Sequence, residues 1–147
     1  MKLILLNNTH NTIPTKKHFQ SWIDAVTNAV STPQKEITIN IVDTTQSQTL
    51  NNTYRKKDYP TNVLSFHYEP APGISSHSLG DLAICADIVE TESREQDKSL
   101  ESHWAHMTIH GILHLLGHDH ENRKDATIME SLEIKILHTL GFEDPYS

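Results

Sequence analysis

The chain has 147 residues and a mass of 16.7 kDa, the size of one domain built on one core. Twelve Lys and Arg against nineteen Asp and Glu give a net charge of −7, so any nucleic-acid contact has to use a local basic patch. No apolar run approaches the roughly 20 residues that span a bilayer, which excludes a membrane-spanning helix.

The run Leu3-Ile4-Leu5-Leu6 reads as a short buried strand within residues 2–6. It is too short for a signal-peptide core and gives way at once to Asn7-Asn8-Thr9-His10, so no secretory leader is expected and the chain is placed in the cytoplasm. Phe19, Trp22, Ile23, Val26 and Val30 recur at helical spacing, predicting an amphipathic helix over 15–30. Residues 36–42 alternate apolar and polar positions with β-branched side chains, the pattern of a half-buried strand, and Pro33 breaks the chain before it. Between Asp43 and Lys57 only Leu50 and Tyr54 offer apolar anchors, so this polar stretch reads as a short helix or a loop. Tyr59-Pro60 enforces an extended entry to a strand over 63–68, which Pro70, Pro72 and Gly73 end.

Glu69 to Ser78 has the composition of a surface loop, and Leu82 to Ala86, after Gly80-Asp81, reads as a fourth strand. From Asp87 to Ser99 the chain is charged and predicted to form an exposed helix. Ser102 to Leu116 is apolar on more than one face, which predicts a central, buried helix ending at Gly117. Asp125 is placed to cap a last helix whose Ile128, Leu132, Ile136 and Leu140 form the apolar stripe, stopped by Gly141. No repeat, linker or low-complexity tract divides the chain, so residues 1–147 read as one domain.

A single cysteine, Cys85, builds neither a disulfide nor a Cys-rich metal site. Histidine is the unusual count: eleven in all, six of them between positions 103 and 120. His110 and His114 lie four apart on the predicted buried helix, so their Cβ atoms are about 5–6 Å apart and both rings can converge on one ion. Gly117 permits a sharp turn that can return a third imidazole, from His120 or His118, toward the same point. Three neutral nitrogens with an open fourth position describe a catalytic zinc site, and ligation offsets the cost of burying imidazoles on an apolar helix. His103 and His106, beside Trp104 and Met107, read as structural.

The segment His110-Gly111-Ile112-Leu113-His114-Leu115-Leu116-Gly117-His118-Asp119-His120 resembles the zinc-protease pattern HExxHxxGxxH, with Gly111 in place of the Glu. That Glu moves a proton from zinc-bound water to the leaving amine, so its loss argues against peptide hydrolysis. Zinc can still supply hydroxide near neutral pH and polarise a phosphoryl oxygen, so phosphodiester cleavage survives the loss better. Charge developing on phosphate is best met by a guanidinium, and Arg55-Lys56-Lys57 is the one basic triplet. The spacing alone leaves it either a solvated surface run or a phosphate contact.

Three stretches together resemble the YbeY endoribonuclease family of bacterial rRNA maturation factors. They are Tyr54 to Phe66, which holds the basic segment and a TDVLSF-like strand; Leu79-Gly80-Asp81-Leu82; and His110 to His120, matching HGxLHLxGyDH. The similarity extends from about residue 35 to Ser147 and takes in Gly141-Phe142-Glu143-Asp144-Pro145-Tyr146. Two positions depart from the pattern: Asn62 stands where many relatives have Asp, and His118 where Tyr is common. Asp119 can either orient an imidazole or form the turn.

The resemblance implies an α+β fold, a small mixed four-stranded sheet packed with helices around a central ligand-bearing helix, with metalloprotease-like site geometry. It assigns His110, His114 and His120 as metal ligands and Arg55 as the functional basic residue. One divalent ion per chain follows, zinc by default, and a three-imidazole set also accepts nickel, copper or cobalt. The implied activity is a metal-dependent, single-strand-directed endoribonuclease in 16S rRNA 3′-end maturation and ribosome quality control, with rRNA and ribosomal particles as partners and neither DNA nor membrane. The alternatives are a zinc-dependent hydrolase of peptides or small molecules and a non-catalytic assembly factor stabilised by its metal. Ligation by His118 as a fourth residue would favour the latter.

Overall fold

The computed structural model describes residues 1–68, 71–73 and 77–147. In chain order the elements are β1 (Lys2–Asn7), α1 (Lys16–Ala29), β2 (Glu36–Val42), α2 (Thr44–Arg55), β3 (Val63–His67), β4 (Ser78–Cys85), α3 (Ala86–Glu95), α4 (Leu100–Leu115) and α5 (Arg123–Thr139). This is the expected α+β arrangement. The four-stranded sheet runs β1-β2-β4-β3, with β1, β2 and β4 parallel and β3 an antiparallel edge strand.

The period-2 pattern of the strands sorts side chains between two faces. Ile37, Ile39 and Ile41 of β2, Leu82 and Ile84 of β4 and Val63 of β3 enter the main core with Phe19, Trp22, Ile23 and Val26 of α1 and most of α4. Their alternates, Val42, Ala83, Cys85 and Leu64, form a smaller cluster on the other face, against which Leu50 of α2 packs. Helix α4 is the hub, touching α1, α3, α5, β3 and β4. Its residues 103–109, 111–113 and 115 are buried, as an all-round apolar helix predicts.

The structure shifts some sequence expectations and decides one left open. The fourth strand begins at Ser78, not Leu82, so Gly80-Asp81 lies inside β4, at an irregularity in its pairing with β2. The polar stretch after Asp43 is a helix: Asp43 and Gln46 form a reciprocal capping box. The inner face of α2 is polar, with the Ser47 hydroxyl donating to the Thr61 carbonyl and the Asn51 amide to that of Tyr59, while Tyr54 is exposed. The α3 segment is not wholly exposed, because Val89 and Ser93 are buried.

Helix α5 is capped by Asn122, whose side-chain oxygen accepts from the Asp125 amide; Asp125 is in the first turn and returns a contact to Asn122 Nδ2. Its buried residues are Met129, Glu133, Ile136 and Leu137; of the predicted stripe, Ile136 is buried, Leu132 and Leu140 pack against the core, and Ile128 is 47% exposed. Residues 69–70 and 74–76 of the expected loop lie outside the described residues.

Close contact between α4 and the sheet is possible because position 111 has no side chain. A Cβ there would lie 2.9 Å from Leu82 Cδ2 and 3.1 Å from Val63 Cγ2, and the Ser65 hydroxyl of β3 donates to the Gly111 carbonyl at 3.0 Å. Gly111→Ala should therefore lower stability by roughly 1–3 kcal/mol through overpacking. A urea midpoint equal to wild type would show instead that the helix can lift from the sheet without penalty.

Candidate functional site

With Gly111 against the sheet, His110 and His114 are only half-buried and line the cleft beside edge strand β3. Helix α4 stops in a Schellman-type turn: the Gly117 amide donates to the His114 carbonyl and the His118 amide to that of Leu113, each at 3.0 Å. Gly117 has φ +96°, a left-handed conformation that only glycine adopts freely. The reversal brings His120 back, giving ring-centroid separations of 4.7 Å for His110–His114, 5.0 Å for His114–His120 and 5.4 Å for His110–His120. One ring nitrogen from each lies within 4.8 Å of the others, a set that could hold a metal ion. His118 lines the same cleft but is outside every such group among the described residues. The Asp119 carboxylate accepts from the His120 amide at 2.7 Å, a turn contact.

The donor chemistry fits a cation. Burial, reinforced by His110 and His120, pushes the His114 pKa down to about 4, so at neutral pH its ring carries the lone pair that ligation needs. Behind His110 stands Glu133 of α5, fully buried, whose Oε1 lies 2.7 Å from His110 Nδ1 and 3.1 Å from His106 Nε2. Burial by itself would raise the Glu133 carboxyl, but hydrogen bonds and charge from His106 and His110 outweigh it and hold it at about 2. The Tyr146 hydroxyl donates to the other carboxylate oxygen, Oε2, at 2.6 Å.

His103 has the structural place expected for it. Its Nε2 lies 2.9 Å from Glu92 Oε1, and Asn62 Nδ2 donates to the same carboxylate. Burial raises the Glu92 carboxyl and these contacts lower it, with a net downward shift. Asn62 is thus engaged through its side-chain amide with α3, and its oxygen accepts from the Val63 amide.

Arg55, the last residue of α2, is exposed and lines the same cleft as the three histidines, a cavity of about 1720 Å³. Charge in this cleft is divided, with Arg55 and Lys57 on the α2 side and Asp119, Glu121 and Glu130 on the side of α5 and the turn before it. The hydrogen bonds of Ser47 and Asn51 to the 59–61 backbone dock α2 against the approach to β3, so they set where Arg55 emerges. Glu133, Tyr146 and the contact of His106 with Glu133 escaped the sequence reading. The available signal was a Glu flanked at helical spacing by Met129, Ile136 and Leu137, a charge in a core stripe.

The endoribonuclease YbeY family matches residues 5–141. The chain belongs to that family. The match takes in the second half of β1 and all of α1, ahead of the segments that carry the recognisable motifs. The solution structure of TM1509 from Thermotoga maritima is similar, with a TM-score of 0.63 at 26% identity over 92% of this chain and 87% of that one. Membership in the YbeY family makes the chain an RNA-cleaving hydrolase of rRNA processing, with RNA as its substrate. No helix among the described residues is long and apolar enough to cross a membrane.

In the metal-free protein the folded state leaves His114 neutral down to about pH 4, whereas the unfolded chain takes up that proton near the ordinary value of 6.5. Stability contributed by the neutral ring is therefore present above pH 6.5 and lost as pH falls toward 4. His114→Gln should flatten this part of a plot of urea midpoint against pH. An equally steep loss in the variant would place the acid sensitivity elsewhere.

Proposed function

We propose that this chain is a metal-dependent endoribonuclease directed at single strands, acting in 16S rRNA 3′-end maturation and ribosome quality control. Its residues 1–147 form one hydrolase domain, working in the cytoplasm on rRNA within ribosomal particles. His110, His114 and His120 hold one divalent ion, zinc by default, and Arg55 serves the scissile phosphate. The observation that carries this reading is the convergence of three imidazoles in a cleft that Arg55 also lines, within a chain of the YbeY family.

A divalent ion at this place would supply Lewis acidity, generating a nucleophile from water near neutral pH and polarising a phosphoryl oxygen. The chain supplies the rest. The guanidinium of Arg55 offers paired N–H donors to phosphate oxygens, where charge grows during cleavage. Neighbouring Tyr54, 66% exposed and edge-on to Phe66 at 5.1 Å, presents an aromatic face in the cleft. An unpaired base can stack on such a face, whereas bases in a duplex are covered by their neighbours, which supports the single-strand preference.

The peptidase alternative is disfavoured by packing as well as by residue type: a side chain at position 111 would run into Leu82 and Val63, so no carboxylate base can project from there. The assembly-factor alternative lacks the fourth protein ligand that closed structural sites use, since His118 stands apart from the group among the described residues.

Arg55→Glu should reduce cleavage of single-stranded RNA by about 100-fold or more while bound metal stays at the wild-type level. Full activity in that variant, measured with equal metal content, would remove Arg55 from the phosphate role.

A further inference from the structure

Tyr146 and Glu133 lie far apart in the sequence from the histidine motif, yet they meet it in the fold. Glu133 is fully buried on α5 and both of its oxygens are engaged: Oε1 by His110 Nδ1 and His106 Nε2, and Oε2 by the Tyr146 hydroxyl. Tyr146 also lies 3.2 Å from His106 Nε2, with ring centroids 5.3 Å apart and nearly perpendicular. The segment that carries it is fastened a second time, because Lys98 Nζ donates to the Pro145 carbonyl.

We propose that Tyr146, acting through Glu133, is a positioning residue for His110. The inference rests on the reading of His110 as a metal ligand and adds what holds that ligand in place. A carboxylate facing Nδ1 requires the proton on Nδ1, which leaves the lone pair on Nε2 as the free nitrogen of the ring. Glu133 thereby fixes both the tautomer and the ring plane of His110. With only Oε1 engaged, by His110 and His106, the carboxylate could still turn about its last bond. Tyr146 holds Oε2 and prevents that rotation, so Oε1 stays aimed at His110.

The chain also shows why a buried carboxylate is stable at this point. Four contacts reach its two oxygens or the hydroxyl beside them, and burial of a charge is tolerated when its lone pairs are satisfied. The same three residues, His106, His110 and Glu133, could in principle grip a second ion. Spacing favours hydrogen bonding: donors about 2.0–2.1 Å from a tetrahedral ion lie roughly 3.3 Å apart. His110 Nδ1 and Glu133 Oε1 are closer than that, at 2.7 Å.

The test compares wild type, Tyr146→Phe, Glu133→Gln and the double variant. Zinc affinity is measured by competition with a chromophoric chelator, and the visible spectrum is recorded for the cobalt(II)-loaded proteins. Tyr146→Phe keeps the ring and removes only the hydroxyl. It should weaken zinc binding roughly 5- to 10-fold, with Glu133→Gln weakening it on the order of 10- to 100-fold. Both should change the cobalt spectrum, and the double variant should be no weaker than Glu133→Gln alone, because Tyr146 acts only through the carboxylate. Unchanged affinity and spectrum in Tyr146→Phe, with wild type and His114→Ala differing as expected, would overturn this inference alone. A wild type that takes up no metal would overturn the ligand reading and this inference with it. Uptake of two ions by wild type and one by Glu133→Gln would make Glu133 a ligand and also overturn it.

Discussion

The site depends on α4 lying directly against the sheet. A helix that is apolar nearly all round has no preferred rotation from its own hydrophobic pattern, so something else has to decide which residues face out. Gly111 does so: the helix can approach β3 and β4 closely only along the line where it lacks a side chain, with Leu82, Val63 and the Ser65 hydroxyl fitted against that bare backbone. Once that line faces the sheet, His110 and His114 open into the cleft beside β3, and His106 turns toward α5. The residue that would be the proton-transferring Glu of a zinc peptidase is therefore the packing point of this fold. Both roles cannot be served at one position.

Two further constraints finish the arrangement. The left-handed Gly117 folds the chain back so that an exposed residue, His120, joins two half-buried ones. Glu133 supports the group from behind. The result is graded from interior to solvent: a fully buried carboxylate, then His110 and His114, then His120 at the mouth, with Arg55 reaching the cleft from a different helix. A site of this kind has a buried carboxylate behind three converging imidazoles, which suits a cation on one side and a phosphate on the other. The acidic net charge of the chain is no obstacle, since the cationic side chains of the cleft are gathered on α2 and just beyond it.

Much of this was legible in the residues. The i, i+4 spacing of His110 and His114, the Gly117 turn and the all-round apolar character of α4 report local geometry, and local geometry is what sequence periodicity encodes. Less legible were elements whose inner face is polar. Helix α2 buries Ser47 and Asn51 to bind the backbone of 59–61, so it carries no apolar stripe and looked like a loop or short helix. The apolar stripe of α5 is legible in part: Ile136 is buried and Leu132 and Leu140 pack against the core, but Ile128 is exposed. Ile128, Leu132, Ile136 and Leu140 are the more obvious apolar series, and choosing them turned Glu133 away from the core that it occupies. A charged residue in a buried stripe is readable only when its partners are known, and His106, His110 and Tyr146 reach it from other parts of the chain. The start of β4 is less legible for another reason: Gly80 lies within the strand at an irregular pairing, where a glycine interrupts the apolar pattern.

The central claim is that the three-imidazole group drives RNA cleavage. Its most direct test is incubation of a single-stranded RNA spanning the 3′ end of 16S rRNA with wild type and with His114→Ala, purified identically and shown by circular dichroism to be folded. Cleavage by wild type that disappears in the variant, together with its bound metal, is the predicted result. Equal cleavage by the two proteins would contradict the account.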